Sequence, residues 1–224
     1  MSQVTTSWTP LDPSVMRNHQ RAYELLGNDL LKIFEFVEPV QPNAACFGHQ
    51  IYQLFLRINT EFESICKLAC GRLEIQPERN NDWNFDVYEK LQDREGKWSR
   101  EPEFPTPVGN LSDYRFDMYS WGELISPLST YATPLKVKGE KSTRKPGWYS
   151  DYNDVKHSRE KEFNKANLEN LITSFCGLVA ILDWQGIKVN RWIPETVGNE
   201  IVVGEKFGYF VIGADQSISQ RVYF

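Results

Sequence analysis

The segment Tyr152-Asn153-Asp154-Val155-Lys156-His157-Ser158-Arg159 brings an imidazole, an amide and two cations together in one short stretch. A histidine can give and take a proton near neutrality, and a guanidinium stays charged and binds phosphate oxygens in pairs. On a helix Asn153 and His157 share one face, and Lys156 and Arg159 share the next. Such a set suits proton transfer beside an anion. Between Lys136 and Lys165 stand nine Lys or Arg against five Asp or Glu, in a chain whose net charge is −5. This local reversal of sign lies beside an expected helix start, whose free N–H groups favour phosphate. It reads as an anion or RNA-backbone surface, with Lys156, Arg144, Lys145 and Tyr152 as binding residues. The same count also fits a solvated charged face.

Asn167, Asn170 and Ser174 extend the second face as a polar line on an otherwise apolar helix. Buried polar groups need partners, and Arg57 and Glu61, on an upstream helix, are expected to supply them. A packing network that fixes helix register is the competing reading of these residues. Under it, His157 donates to a buried carboxylate such as Glu61.

The elements that must position these groups follow from apolar spacing. Residues 1–14, with Pro10 and Pro13, form an irregular arm. Tyr23, Leu26, Leu30, Ile33, Phe34 and Val37 predict a helix over 15–38, ended by Pro39. Ile51, Leu54, Phe55, Ile58, Phe62, Ile65 and Ala69 predict a second over 45–73. A short third helix is expected over 84–91, with Asp82 as its cap. Residues 93–147 lose periodicity and carry six prolines and many aromatics, so a long loop that packs onto the helices is expected there. A fourth helical run starts at Trp148, capped by Ser150 or Asp151, and continues with a kink to Trp184. Its apolar positions wrap the circumference beyond Leu168, which marks a central helix. Short strands are expected over 187–193, 201–203, 207–212 and 218–224, with Gly204-Glu205-Lys206 as a tight connection.

At 41% hydrophobic and 25% charged, with seven Trp, the chain has material for a core. Its acidity argues against a protein that coats nucleic acid over its whole surface. No apolar run is long enough to span a bilayer, and no secretory signal is read at the N-terminus. Cys46, Cys66, Cys70 and Cys176 are therefore read as reduced thiols of a cytoplasmic protein. Cys66, Cys70 and His49 are too few and too poorly spaced for a zinc site, so buried thiols are expected and no metal or other cofactor. No Gly-rich phosphate loop and no hydrolase triad context is present.

The pattern Trp148-Tyr149-x-x-Tyr152-Asn153-x-Val155-Lys156-His157-x-Arg159, with Phe163, Ala166, Leu168 and Asn170 after it, resembles a group of uncharacterised bacterial proteins similar to HEPN domains. Leu56-Arg57-x-x-Thr60-Glu61-x-Glu63 resembles the same group. HEPN domains are all-helical bundles of toxins, abortive-infection proteins and CRISPR-associated ribonucleases. Their signature is an Arg, a polar residue that is often Asn, a short gap and a His. Asn153 and His157 match its last two positions, and Tyr152 stands where the Arg would be. The resemblance spans residues 15–185 and implies a mainly α fold: a HEPN-like bundle with an irregular insertion at 93–147 and a small antiparallel β appendage at 186–224. It also implies a homodimer that binds or processes RNA. The catalytic form would be a metal-independent endoribonuclease of a bacterial toxin or antiviral system. In that form His157, Asn153 and Arg159 would act on the RNA 2′-hydroxyl, with charge stabilised by Arg159, Lys156 or Arg144. The alternative is a non-catalytic interaction module that binds a protein partner or a nucleotide.

Overall fold

A computed structural model describes residues 11–78, 83–91, 111–117, 121–132 and 144–187, and the backbone of 194–197 and 200–203. The described chain is mainly helical. Helix α1 (Pro13–Phe34) begins where Asp12 accepts from the backbone N–H of Ser14, with Pro13 in the first turn. The Ser14 hydroxyl and N–H hold the Asp12 carboxyl below its usual range. The helix thus starts two residues before the expected boundary. It stops at Phe34, well short of Pro39, because the chain turns back on the Ile33 carbonyl, which accepts from both Phe36 and Val37.

Helix α2 (His49–Arg72) buries Phe55, Ile58, Phe62 and Ile65 along one stripe, as the spacing predicts. Helix α3 (Phe85–Tyr88) is a single turn, and its cap is Asn84; the expected cap, Asp82, lies outside the described residues. Within the expected loop, strands β1 (Phe116–Asp117) and β2 (Leu124–Ile125) pair antiparallel, with Gly122 in the left-handed region between them. Tyr114, Phe116, Leu128 and Tyr131 are buried, so the loop packs onto the helices as its aromatics suggest. The Tyr114 hydroxyl donates to Asp183 at 2.7 Å. Burial holds the Asp183 carboxyl above its usual range, and the tyrosine's hydrogen bond opposes that shift.

The expected fourth helix is broken into three. Helix α4 (Gly147–His157) ends at Ser158, whose φ of −139° and ψ of 44° leave the helical region. Helix α5 (Arg159–Glu162) is one turn and runs into a 3-10 turn at Phe163–Lys165. Helix α6 (Leu168–Trp184) starts afresh with Asn167 as its cap. Thirteen of its seventeen residues are buried, so it is enclosed on all sides. It pairs mainly with α2, while α1 flanks α2 and α4 packs on both α2 and α6. The first two N–H groups of α6 are taken by a distant segment: Leu168 donates to the Cys46 carbonyl at 2.8 Å and Glu169 to that of Ala44 at 3.1 Å. Strands β3 (Pro194–Val197) and β4 (Glu200–Val203) form an antiparallel hairpin. The second expected strand therefore falls within β4, and residues 204–224 lie outside the described chain.

Gly177, in the middle of α6, is approached closely by a neighbouring side chain. A Cβ there would sit 3.0 Å from Cζ2 of Trp148. Alanine in a helix interior gains about 0.5–1 kcal/mol over glycine. Here the indole cannot yield, because its Nε1 donates to the Pro127 carbonyl at 2.8 Å and its ring rests on Phe62. Gly177→Ala is expected to destabilise the fold by about 1 kcal/mol net. In a Trp148→Phe background the same change is expected to cost less. Thermal melts of the four proteins check this, and a Gly177→Ala protein that melts above wild type would contradict it.

Candidate functional site

Trp148, Tyr149, Tyr152 and Val155 form the buried face of α4. That face decides where the other residues of the segment lie. Tyr152 is only 1% exposed, which corrects its reading as a substrate-binding residue. Its hydroxyl accepts from Lys156 Nζ at 3.1 Å, and the same ammonium lies 5.0 Å from its ring centre. Glu63 of α2 completes the cluster: one oxygen accepts from the Tyr149 hydroxyl at 2.8 Å and the other lies 3.8 Å from Lys156. Burial works against the charge on Lys156. The bond to Tyr152 and the Glu63 carboxylate outweigh it, so the ammonium is held above its ordinary range. Burial, and then Glu63, push the Tyr149 hydroxyl far upward.

Asn153 does not share its amide with His157. Its Nδ2 donates to the Tyr149 carbonyl of its own helix at 3.0 Å. His157 is exposed at the C-terminal end of α4, where a helix favours positive charge. It does not donate to Glu61, which is held by Nδ1 of His19 on α1 at 2.5 Å. Arg57 is paired with Asp29 of α1 at 2.7 Å. The carboxylate and guanidinium of α2 therefore tie down α1, and the expected network with Asn167 and Asn170 does not form. Asn170 instead donates to Asp151 and to the Lys165 carbonyl. The reason is the break at Ser158, which takes those asparagines off the face that carries Lys156.

Arg144 also departs from expectation. It is 5% exposed and donates to the Glu89 carbonyl at 3.0 Å, so it anchors the loop. Lys145 lies 5.7 Å from the Tyr149 ring centre. Lys165 is ringed by Asp154, Asp151 and Glu162; hydrogen bonds to Asp154 and then Glu162 hold it above its usual range. The basic run thus contains structural cations as well as exposed ones.

Arg159 is different. Its guanidinium lies 4.6 Å from the Tyr52 ring centre and 5.5 Å from that of Phe163. One of its nitrogens, Nη2, is 3.0 Å from Nδ1 of His49. A guanidinium only donates, so His49 Nδ1 accepts and the ring proton of that arrangement is on Nε2. Phe163 is the hub, with ring centres 5.8 Å from Phe47, 5.1 Å from His49 and 5.5 Å from Tyr52. Arg159 and His49 are exposed, and Phe47 is 54% exposed. His49 is the first residue of α2, which starts without a side-chain cap. That end of a helix repels cations, yet among the described residues no carboxylate pairs with Arg159.

No protein-family model matches the chain, and neither a curated protein nor a solved structure matches it. The site therefore rests on its own geometry. That geometry keeps His157 and Arg159 at the surface, on either side of the Ser158 break. It adds Phe163, already quoted with the motif, and three residues around the start of α2 that helix spacing did not single out: Phe47, His49 and Tyr52. The signal for them was the aromatic and imidazole pair around Gly48, followed by Tyr52 one helical turn on. Of the cysteines, Cys66, Cys70 and Cys176 are buried and Cys46 is exposed. Burial raises the Cys70 thiol to about 12, so it is unreactive at neutral pH. Among the described residues no helix is long and apolar enough to cross a membrane.

Proposed function

We propose that this chain is an RNA-binding protein with a HEPN-like helical core, and that Arg159 is its central phosphate contact. The observation that carries this reading is an exposed guanidinium with no carboxylate partner among the described residues, held by a histidine and two rings at the start of α2. An arrangement of that kind favours an anion. Exposed His157 and Lys161 flank it in sequence. Under this reading the β3–β4 hairpin is an appendage to the core, and the protein works as a homodimer.

A metal-independent endoribonuclease would draw its acid–base groups from the exposed imidazoles of His157 and His49. A specific observation favours binding without cleavage. The signature's Arg position is held by Tyr152, which points into the core, so catalytic charge stabilisation would fall to Arg159.

The test is a titration of labelled single-stranded RNA at increasing salt. Affinity is expected to fall steeply with salt, with a log–log slope of about −0.7 for each phosphate neutralised. Arg159→Ala is expected to weaken binding on the order of tenfold, in keeping with loss of a charge-assisted hydrogen bond. No binding at low salt, or an affinity indifferent to salt, would refute the proposal. Incubating the same RNA with wild type and His157→Ala decides the catalytic form.

A further inference from the structure

We infer that Phe47 and the ring cluster behind it form a stacking site for an unpaired nucleobase, next to the phosphate contact at Arg159. This rests on the RNA reading and adds to it that the ligand is single-stranded. Four exposed large apolar side chains are found among the described residues: Leu25, Phe36, Phe47 and Leu124. Phe36 is the most open at 80%, but among the described residues no cation or ring contact joins it to a polar group. Phe47 is the one that belongs to a built arrangement. Its ring meets Phe163 at 89°, an edge-on contact that keeps the position fixed while more than half of the residue stays in water.

The backbone beneath it is fixed as well. Phe47 bridges to Asn167, and the carbonyls of Ala44 and Cys46 accept from the start of α6. The aromatic face is therefore preorganised, which lowers the entropic cost of binding. Phe163 touches both Phe47 and the Arg159 guanidinium, so the apolar face and the cation share one support. His49 adds a third group. With Nδ1 occupied by Arg159, its Nε2–H remains to donate to a base edge or a phosphate oxygen. A flat apolar face, a cation and a donor on one support match the chemistry of a nucleotide unit. Every base has a stacking face, so such a site tolerates any sequence but not a duplex, whose bases are already stacked.

The experiment compares three labelled probes on the full chain: a short single-stranded RNA, the same RNA annealed into a duplex, and an abasic ribose-phosphate oligomer of equal length. Wild type is expected to bind the base-bearing single strand on the order of tenfold more tightly than either of the others. Phe47→Ala is expected to lose that advantage while its affinity for the abasic oligomer stays unchanged. Phe47→Trp is expected to keep it and to show quenching of the new indole. Arg159→Ala should weaken base-bearing and abasic probes alike. Because Phe47 is more than half exposed, the alanine variant is expected to melt with wild type, which excludes unfolding as the cause. If wild type binds all three probes equally, or Phe47→Ala binds the single strand as wild type does, the stacking site is refuted and the phosphate contact stands. If wild type binds none of them, the RNA reading itself falls.

Discussion

Phe62→Ala is expected to lower the unfolding free energy by about 3–5 kcal/mol, the cost of emptying a fully packed aromatic site. Phe62 is wholly buried. Its ring centre is 5.1 Å from that of Trp148, edge to face, and 6.2 Å from that of Tyr149. Trp148 is itself held by Pro127, so it cannot move in to fill the space. The cavity would open between α2 and α4, where little can collapse. In a protein of this size each kcal/mol corresponds to roughly 2–4 °C, so the melting temperature should fall by roughly 6–20 °C. Phe36→Ala is the matched control, since that ring is in solvent and its loss should leave the melt nearly unchanged. A Phe62→Ala shift as small as the control's would mean that this seam is not part of the cooperative core.

The second large effect concerns Glu63. Glu63→Leu is expected to cost about 1–3 kcal/mol, because the Tyr149 hydroxyl would be left buried without an acceptor. The alternative source of the loss is the attraction between Glu63 and Lys156. That pair is 3.8 Å apart and the lysine side chain is 44% exposed, so the ammonium can turn to water at little cost. The two explanations separate in a double-mutant cycle. If the hydroxyl dominates, Glu63→Leu in a Tyr149→Phe background should cost about 1 kcal/mol less than in wild type, and 1 M salt should barely change the result. An undiminished cost in the Tyr149→Phe protein would point to the lysine instead. Denaturant titrations of the four proteins give the answer.

The helical core was legible because its apolar residues recur at three and four along α2 and wrap all sides of α6. Burial there is a local consequence of spacing. The break between α4 and α6 was not legible in the same way. Residues 158–166 contain no Gly or Pro, and most of them favour a helix. What fixes the fresh start at Leu168 lies elsewhere in the chain: the carbonyls of Ala44 and Cys46 receive the N–H groups of Leu168 and Glu169. A helix running straight through would have to satisfy those groups internally. Charge counting failed for a related reason. It registers Arg144 and Arg159 as equals, although one is buried on a carbonyl and the other is open to solvent. The segment from Tyr152 to Arg159 did hold two residues of the candidate site. Their neighbours Phe47 and His49 belong to a loop and a helix start, where no periodicity exists to be read.

The clasp between Ala44–Cys46 and the start of α6 also bears on folding order. It joins segments far apart in the chain, with α2, α3, the β1–β2 insertion, α4 and α5 between them. Closing so long a loop costs entropy before any contact rewards it. The α1–α2 pairing is local and needs no such closure. The surface that unites Phe47 and His49 with Arg159 and Phe163 is therefore a non-local object: neither half of the chain contains it, and a molecule that has collapsed without docking α6 presents no such surface to a ligand.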